Sequence, residues 1–188
     1  MKNKIFMLLI LFSMALFAQS ENIKNDPGYI DFGNLTSFDD GDMVAEVLLE
    51  AHLLKMVSKM TKHQDPELAE LLNGLKLIKV NAFEVNDENK NQIYDIMNNV
   101  DGELKSKGWE RIVKVRDHDE RANVYIKTDG EEDIVGLVVT AIGEDNEAAF
   151  VNIAGRINLE TIGRLSEKFD IPEIDKIGKD TTKKKEEE

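Results

Sequence analysis

Four strand-like runs in the second half of the chain constrain its fold more than any other feature. They lie at residues 109–116, 122–128, 133–142 and 148–155. The links between them are short and polar, and they are rich in Asp, Glu, Gly and Asn. Links of this length and composition are typical of β-hairpins. The sequence therefore predicts an antiparallel meander of four strands.

In the first half of the chain, apolar residues recur at strand spacing in some segments and at helical spacing in others. Apolar runs at 43–48 and 75–85 predict two further strands. From residue 49 onward, apolar residues recur at the helical spacing, which predicts a helix with one apolar stripe. That stripe consists of Leu49, Leu53, Met56 and Met60.

Three more helices are indicated by their start signals. Asp65 caps a short helix over 66–74, and the pair Asn86–Asp87 caps a long one. Asn158 caps a last helix, which ends before Pro172. The predicted buried stripe of the long helix consists of Ile93, Ile96, Met97, Val100 and Leu104.

The order of these elements predicts the fold class. A four-strand meander needs a cover on its apolar side, and the amphipathic helices supply that cover. We therefore predict an α+β protein, a two-layer sandwich with a mainly antiparallel sheet and helices packed on one face.

The N-terminus predicts export. Lys2 and Lys4 give a basic start, residues 5–17 are almost entirely apolar, and small residues follow at 18–20, which is the layout of a secretory signal peptide. The apolar run is shorter than the ~20 residues that a membrane-spanning helix needs. We expect a periplasmic or extracellular protein. The predicted organisation is a signal peptide at 1–18, a flexible lead-in at 19–28, one α+β domain at 29–172 and a disordered charged tail at 173–188.

Charge and cysteine content argue against several classes of protein. The formal net charge is −13, which opposes nonspecific binding to nucleic acid or to anionic lipid. The chain has no cysteine, which excludes disulfides, thiol catalysis, cysteine metal sites and the acylated anchor of a lipoprotein. No later segment is long and apolar enough to cross a membrane, so we expect a soluble mature protein.

The sequence contains no assembled catalytic or metal-binding motif. His52, His63 and His118 are not spaced as metal ligands, and His52 is expected to be a half-buried structural residue. No Gly-x-Ser-x-Gly turn is present, and no serine lies next to a histidine in the sequence. We therefore predict no catalytic residue, no metal site and no cofactor.

One pattern favours a binding surface. In each predicted strand, residues of one parity are apolar and those of the other parity are polar, and the polar parity is rich in cations. If the strands share a sheet, its open face is locally basic and suits an envelope protein or an anionic ligand. The alternative is an ordinary hydrated sheet face on which lysine deters edge pairing. The predicted basic face consists of Lys79, Lys114, Arg116, Tyr125 and Lys127.

Five segments, in this order, resemble a known bacterial family. The segments are PGYIDF at 27–32, ELAELLNGL at 67–75, GWERIVKVR at 108–116, VYIK at 124–127 and FVNIAG at 150–155. They resemble the exported proteins catalogued as domain of unknown function 4252, found mostly in Bacteroidetes-type organisms. The likeness covers residues 29–170. It implies an envelope or secreted location and a small α+β domain, and it implies no activity.

The leading functional hypothesis is an exported, non-catalytic binding or accessory domain of the bacterial cell envelope. One alternative is a carboxylate-based periplasmic hydrolase, which needs a pocket where two acids converge. Another alternative is an envelope stress or signalling component that acts through a protein partner.

Overall fold

A computed structural model describes residues 23–33, 35, 43–117, 120–130, 133–143 and 146–157. Within them lie six strands, three α-helices and a short 3-10 helix at Ile23–Asn25. The strands are β1 (Met43–Glu50), β2 (Leu75–Glu84), β3 (Glu110–Asp117), β4 (Glu120–Asp129), β5 (Asp133–Ile142) and β6 (Glu147–Ile157). The helices are α1 (Ala51–Thr61), α2 (Pro66–Gly74) and α3 (Lys90–Ser106).

All six strands form one antiparallel sheet in the order β1-β2-β6-β5-β4-β3. The predicted meander is confirmed as β3 to β6, because each of these strands pairs with the next. The α+β fold class is confirmed as well. The predicted signal peptide, the helix capped by Asn158 and the charged tail lie outside the described residues.

The ends of two helices show how far local signals determine the structure. Asp65 caps α2 as predicted, since its Oδ1 accepts the backbone N–H of Leu68 at 3.0 Å. Helix α3 begins at Lys90, so Asn86, the predicted cap, lies one turn before the first helical residue. The Asn86 side chain instead accepts the N–H groups of Glu88 and Asn89 at 2.9 and 3.0 Å, which shapes a turn before the helix.

One face of the sheet, here called the α3 face, is covered by α3 and by the segment before β1. Phe150 lies at its centre, with ring centroids 5.7 Å from Phe32 and 6.3 Å from Phe83. Helix α3 packs four buried side chains onto this cluster, which confirms most of the predicted stripe. These side chains are Ile93, Met97, Val100 and Leu104.

The opposite face, here called the hairpin face, is packed by the α1–α2 pair. Its core joins Leu54 of α1 and Leu72 of α2 to Leu137 of β5. The sheet and α3 therefore form the predicted two layers. Helices α1 and α2 pack on the other face of the sheet, so the helices are not confined to one face as predicted. Register places six valines in one row across this face, and β-branched side chains of this kind suit a pleated surface. They are Val47, Val80, Val151, Val139, Val124 and Val113.

Asn152 holds the N-terminal segment against the α3 face. This side chain is fully buried in β6. Its Nδ2 donates to the carbonyl oxygen of Gly28 at 2.9 Å, and its Oδ1 accepts the N–H of Ile30 at 3.1 Å. Gly28 lies so close to the sheet that a Cβ there would be 1.8 Å from the carbonyl oxygen of Val135. One amide side chain and one glycine thus help to fix the position of the segment, together with its buried apolar side chains.

We predict that Asn152→Ala lowers the free energy of unfolding by about 2–4 kcal/mol, because it leaves two buried backbone groups unpaired and opens a cavity. Asn123→Ala is the matched control, since Asn123 is only half-buried and its amide makes a 3.4 Å contact with Thr140. We expect it to cost under about 1 kcal/mol. Urea unfolding measures both, and equal losses in the two variants would contradict this role of Asn152.

Candidate functional site

The five residues of the predicted basic face do lie on one side of the sheet, but that side is the α3 face. Lys79, Asn152, Val138 and Tyr125 follow one another along a row of paired residues. Lys127 shares the parity of Tyr125, and its ammonium group reaches the end of α3. Register therefore places these side chains on one face, and α3 and the segment before β1 cover much of that face.

Tyr125 is fully buried, so the prediction that it faces a partner is wrong. The Nζ of Lys127 donates to the carbonyl oxygens of Lys107 and Gly108 at 2.7 and 3.2 Å, where its charge stabilises the negative end of α3. Lys79 lies on β2, four strands from β3, which is roughly 19 Å at ordinary strand spacing. The five residues thus form no continuous basic surface.

Lys114 and Arg116 are the exposed members of the predicted set. Both belong to β3, which is one of the two edge strands. Cations on an edge strand deter pairing with another sheet, which accounts for both residues.

Tyr125 is part of a polar cluster that joins α3 to β3 and β4. Its hydroxyl donates to Oδ1 of Asp101 at 2.6 Å. Arg111 donates to the same oxygen at 3.1 Å, and Lys105 to Oδ2 at 2.6 Å. A carboxylate with three donors from one helix and two strands holds these elements in one arrangement.

The same contacts shift two pKa values in opposite directions. Burial would raise the pKa of Asp101, but hydrogen bonds from Lys105 and Tyr125, with the charges of Lys105 and Arg111, hold it below its ordinary value. Burial, together with the hydrogen bond to Asp101, raises the pKa of Tyr125 to about 12. Both residues therefore keep their ordinary charge states at neutral pH, which suits a structural role.

The histidines do not assemble a site in the described part of the chain. His52 and His63 are both exposed, so the expectation of a half-buried His52 is wrong. His118 lies outside the described residues. Among the residues that are described, no group of three or more His, Asp and Glu side chains is placed to hold a metal ion.

The exposed apolar side chains identify a different surface. Within the described residues, every exposed large hydrophobic side chain belongs to β1 or α1. These residues are Val47, Leu48, Leu53, Met56, Val57 and Met60. Since β1 is the second edge of the sheet and α1 packs against β1 and β2, the six lie at one margin of the molecule. Val47 is on the hairpin face, the same side as α1, whereas Leu48 is on the α3 face. We call these six residues the β1–α1 surface.

Helix α1 shows why sequence periodicity missed this surface. Its buried positions are Leu54 and Ser58, and the Ser58 hydroxyl donates to the Ala69 carbonyl of α2 at 2.6 Å. The predicted stripe of Leu53, Met56 and Met60 faces water instead, and Met60 is 76% exposed. Apolar residues occupy two sides of α1, so the spacing alone did not decide which side is buried.

Comparison with known proteins supports the resemblance. A family profile described as Domain of unknown function (DUF4252) matches residues 38–165, which is more than half of the chain. Neither a search of curated proteins nor a search of solved structures found a match. Among the described residues, no helix is long and apolar enough to span a membrane.

We predict that Asp101→Asn lowers the free energy of unfolding at pH 7 by about 1–3 kcal/mol, because the donors around the carboxylate lose their charged acceptor. A lowered folded-state pKa contributes stability that is complete above the unfolded value of about 3.9 and is lost as the pH falls through the folded value. The difference from wild type should therefore shrink in acid. Urea unfolding at several pH values measures this.

The matched control is Asp95→Asn, an exposed carboxyl on the same helix, for which we expect almost no change. A stability difference for Asp101→Asn that stays constant from neutral pH to about pH 2 would contradict the role assigned to the carboxylate.

Proposed function

Because this chain belongs to the family described as Domain of unknown function (DUF4252), a description that names no activity, we propose its function from its surface. The protein is an exported, non-catalytic binding protein of the bacterial cell envelope. Its binding surface is the β1–α1 surface. The predicted signal peptide supports export, and the exposed apolar side chains support binding.

The single observation that carries this proposal is the concentration of exposed apolar residues in one short stretch. Single exposed apolar residues are common on soluble proteins and need no explanation. Here all six of the large ones in the described part of the chain fall between Val47 and Met60. Grouped apolar exposure of this kind marks interaction surfaces.

Four of the six residues form a continuous stripe on α1. Leu53, Met56, Val57 and Met60 are spaced by three, one and three positions, so they share one side of the helix. We call them the α1 apolar stripe. Their exposed fractions run from 36% at Leu53 to 76% at Met60. Side chains this exposed contribute little to folding, which leaves them available for a target.

The edge position of β1 adds to the surface. Among the described strands, β1 pairs with β2 alone, so its outer backbone groups face away from the described sheet. The other edge, β3, exposes Lys114 and Arg116, whereas β1 exposes the apolar Val47 and Leu48 together with two glutamates. The two edges therefore differ in chemistry, and β1 is the one suited to contact.

Site-specific photo-crosslinking tests the proposal. A photoreactive amino acid replaces Met60 in one variant and Lys114 in another, and each is made in the bacterium that produces the protein. Both positions are exposed, but they lie at opposite edges of the sheet. We expect covalent adducts, with protein or with lipid, at position 60 and none at position 114. Adducts at position 114 only, or at neither position, would contradict the proposal.

A further inference from the structure

We infer that the target of α1 is the anionic surface of a membrane. The inference rests on the proposed function and names the partner of the same surface. The charge and the shape of α1 support it.

Three sides of α1 have three different characters. Leu54 and Ser58 point into the protein, and the α1 apolar stripe faces water. A third side carries Lys55 and Lys59, and Lys62 follows as the C-cap residue. The three lysines are spaced by four and three positions and are all exposed. We call these three residues the α1 lysine row. A folded helix with an exposed apolar side next to a basic side is the arrangement of helices that lie at a membrane interface.

The charge of this region is opposite to that of the chain. No acidic residue lies between Glu50 and Asp65, although the whole chain has a formal net charge of −13. Within the described residues, none of the three lysines of the row forms an ion pair. Their charges are therefore available to an anionic surface, where each lysine adds to binding.

The acidic remainder of the protein sets the orientation. Charges are screened over about 8 Å at physiological salt, so the membrane senses mainly the part of the protein that touches it. An approach through α1 brings three cations to the surface, whereas the acidic residues lie outside the stretch from 51 to 64. The chain-wide charge, which opposes nonspecific lipid binding, thereby favours one specific approach.

The shape of the stripe favours a membrane over a protein partner. The outer side of a single helix is convex, and a convex apolar stripe enters the headgroup region of a bilayer without a matching groove. Long lysine side chains beside it can extend to the phosphates while their methylene groups remain near the apolar zone. A protein partner would need a groove lined with carboxylates. The experiment below distinguishes such a partner from a membrane.

The test is vesicle binding by the exported protein, purified after the cell has removed the leader, so that residues 1–18 do not contribute. The probes are vesicles of phosphatidylglycerol with phosphatidylethanolamine, and vesicles of phosphatidylcholine. We expect binding to the anionic vesicles only, and weaker binding at high salt. Flotation over a range of lipid concentrations gives the apparent affinity.

Three variants separate the contributions. We expect Met56→Ser with Met60→Ser to weaken binding about tenfold, and reversal of the α1 lysine row to Glu to weaken it at least as much. Lys114→Glu with Arg116→Glu is the matched control, since it reverses exposed cations on the other edge, and we expect it to change binding less than about twofold. Unchanged circular dichroism and urea midpoints verify that each variant folds.

Two results overturn the inference. One is the absence of binding to anionic vesicles by the wild type, and the other is equal loss of binding in the control and the lysine-row variant. If the vesicles are not bound while the photoreactive residue at position 60 captures a protein, the proposed function stands and the occupant is that protein. If neither vesicles nor any adduct is found, the proposed function fails as well.

Discussion

The register of the antiparallel sheet decides which side chains of this protein meet the helices and which meet water. Paired residues form rows across the sheet, and the row from Val47 to Val113 shows that one parity is apolar throughout. A slip of one residue in a strand would exchange its faces and place polar groups among the valines. The register therefore decides which side chains of each strand lie on the α3 face and which lie on the hairpin face.

The opposite parity mixes apolar core side chains with polar ones, and the fold uses several of the polar ones internally. Asn152 binds the backbone of the N-terminal segment, Tyr125 binds Asp101 of α3, and Arg121 lies 3.8 Å above the ring centroid of Tyr94. Each contact joins the sheet to an element that covers it. The hydrogen bonds of Asn152 and Tyr125 offset part of the cost of burying these groups. Arg121 instead makes a cation–π contact, and its buried Nε has no hydrogen-bond partner among the described residues.

Local signals in the sequence predicted the meander and the cap at Asp65, because hairpin links and helix caps depend on neighbouring residues. They did not predict the surface. Whether Tyr125 is covered depends on where α3 crosses the sheet, which no spacing within β4 encodes. Similarly, α1 carries apolar residues on two sides, and only its packing on α2 selects Leu54 over Met56 for burial. The proposed binding surface therefore depends on how the helices pack, which the spacing within one element does not determine.

The absence of cysteine allows the central claim to be tested directly, since one introduced thiol is the only reactive one. Met60→Cys and, separately, Lys114→Cys are exposed to a water-soluble thiol reagent, in the intact cell envelope and in the purified protein. The account predicts that the thiol at position 60 is protected in the envelope and reactive after purification, whereas the thiol at position 114 reacts in both. Equal reactivity of position 60 in the two settings would contradict it.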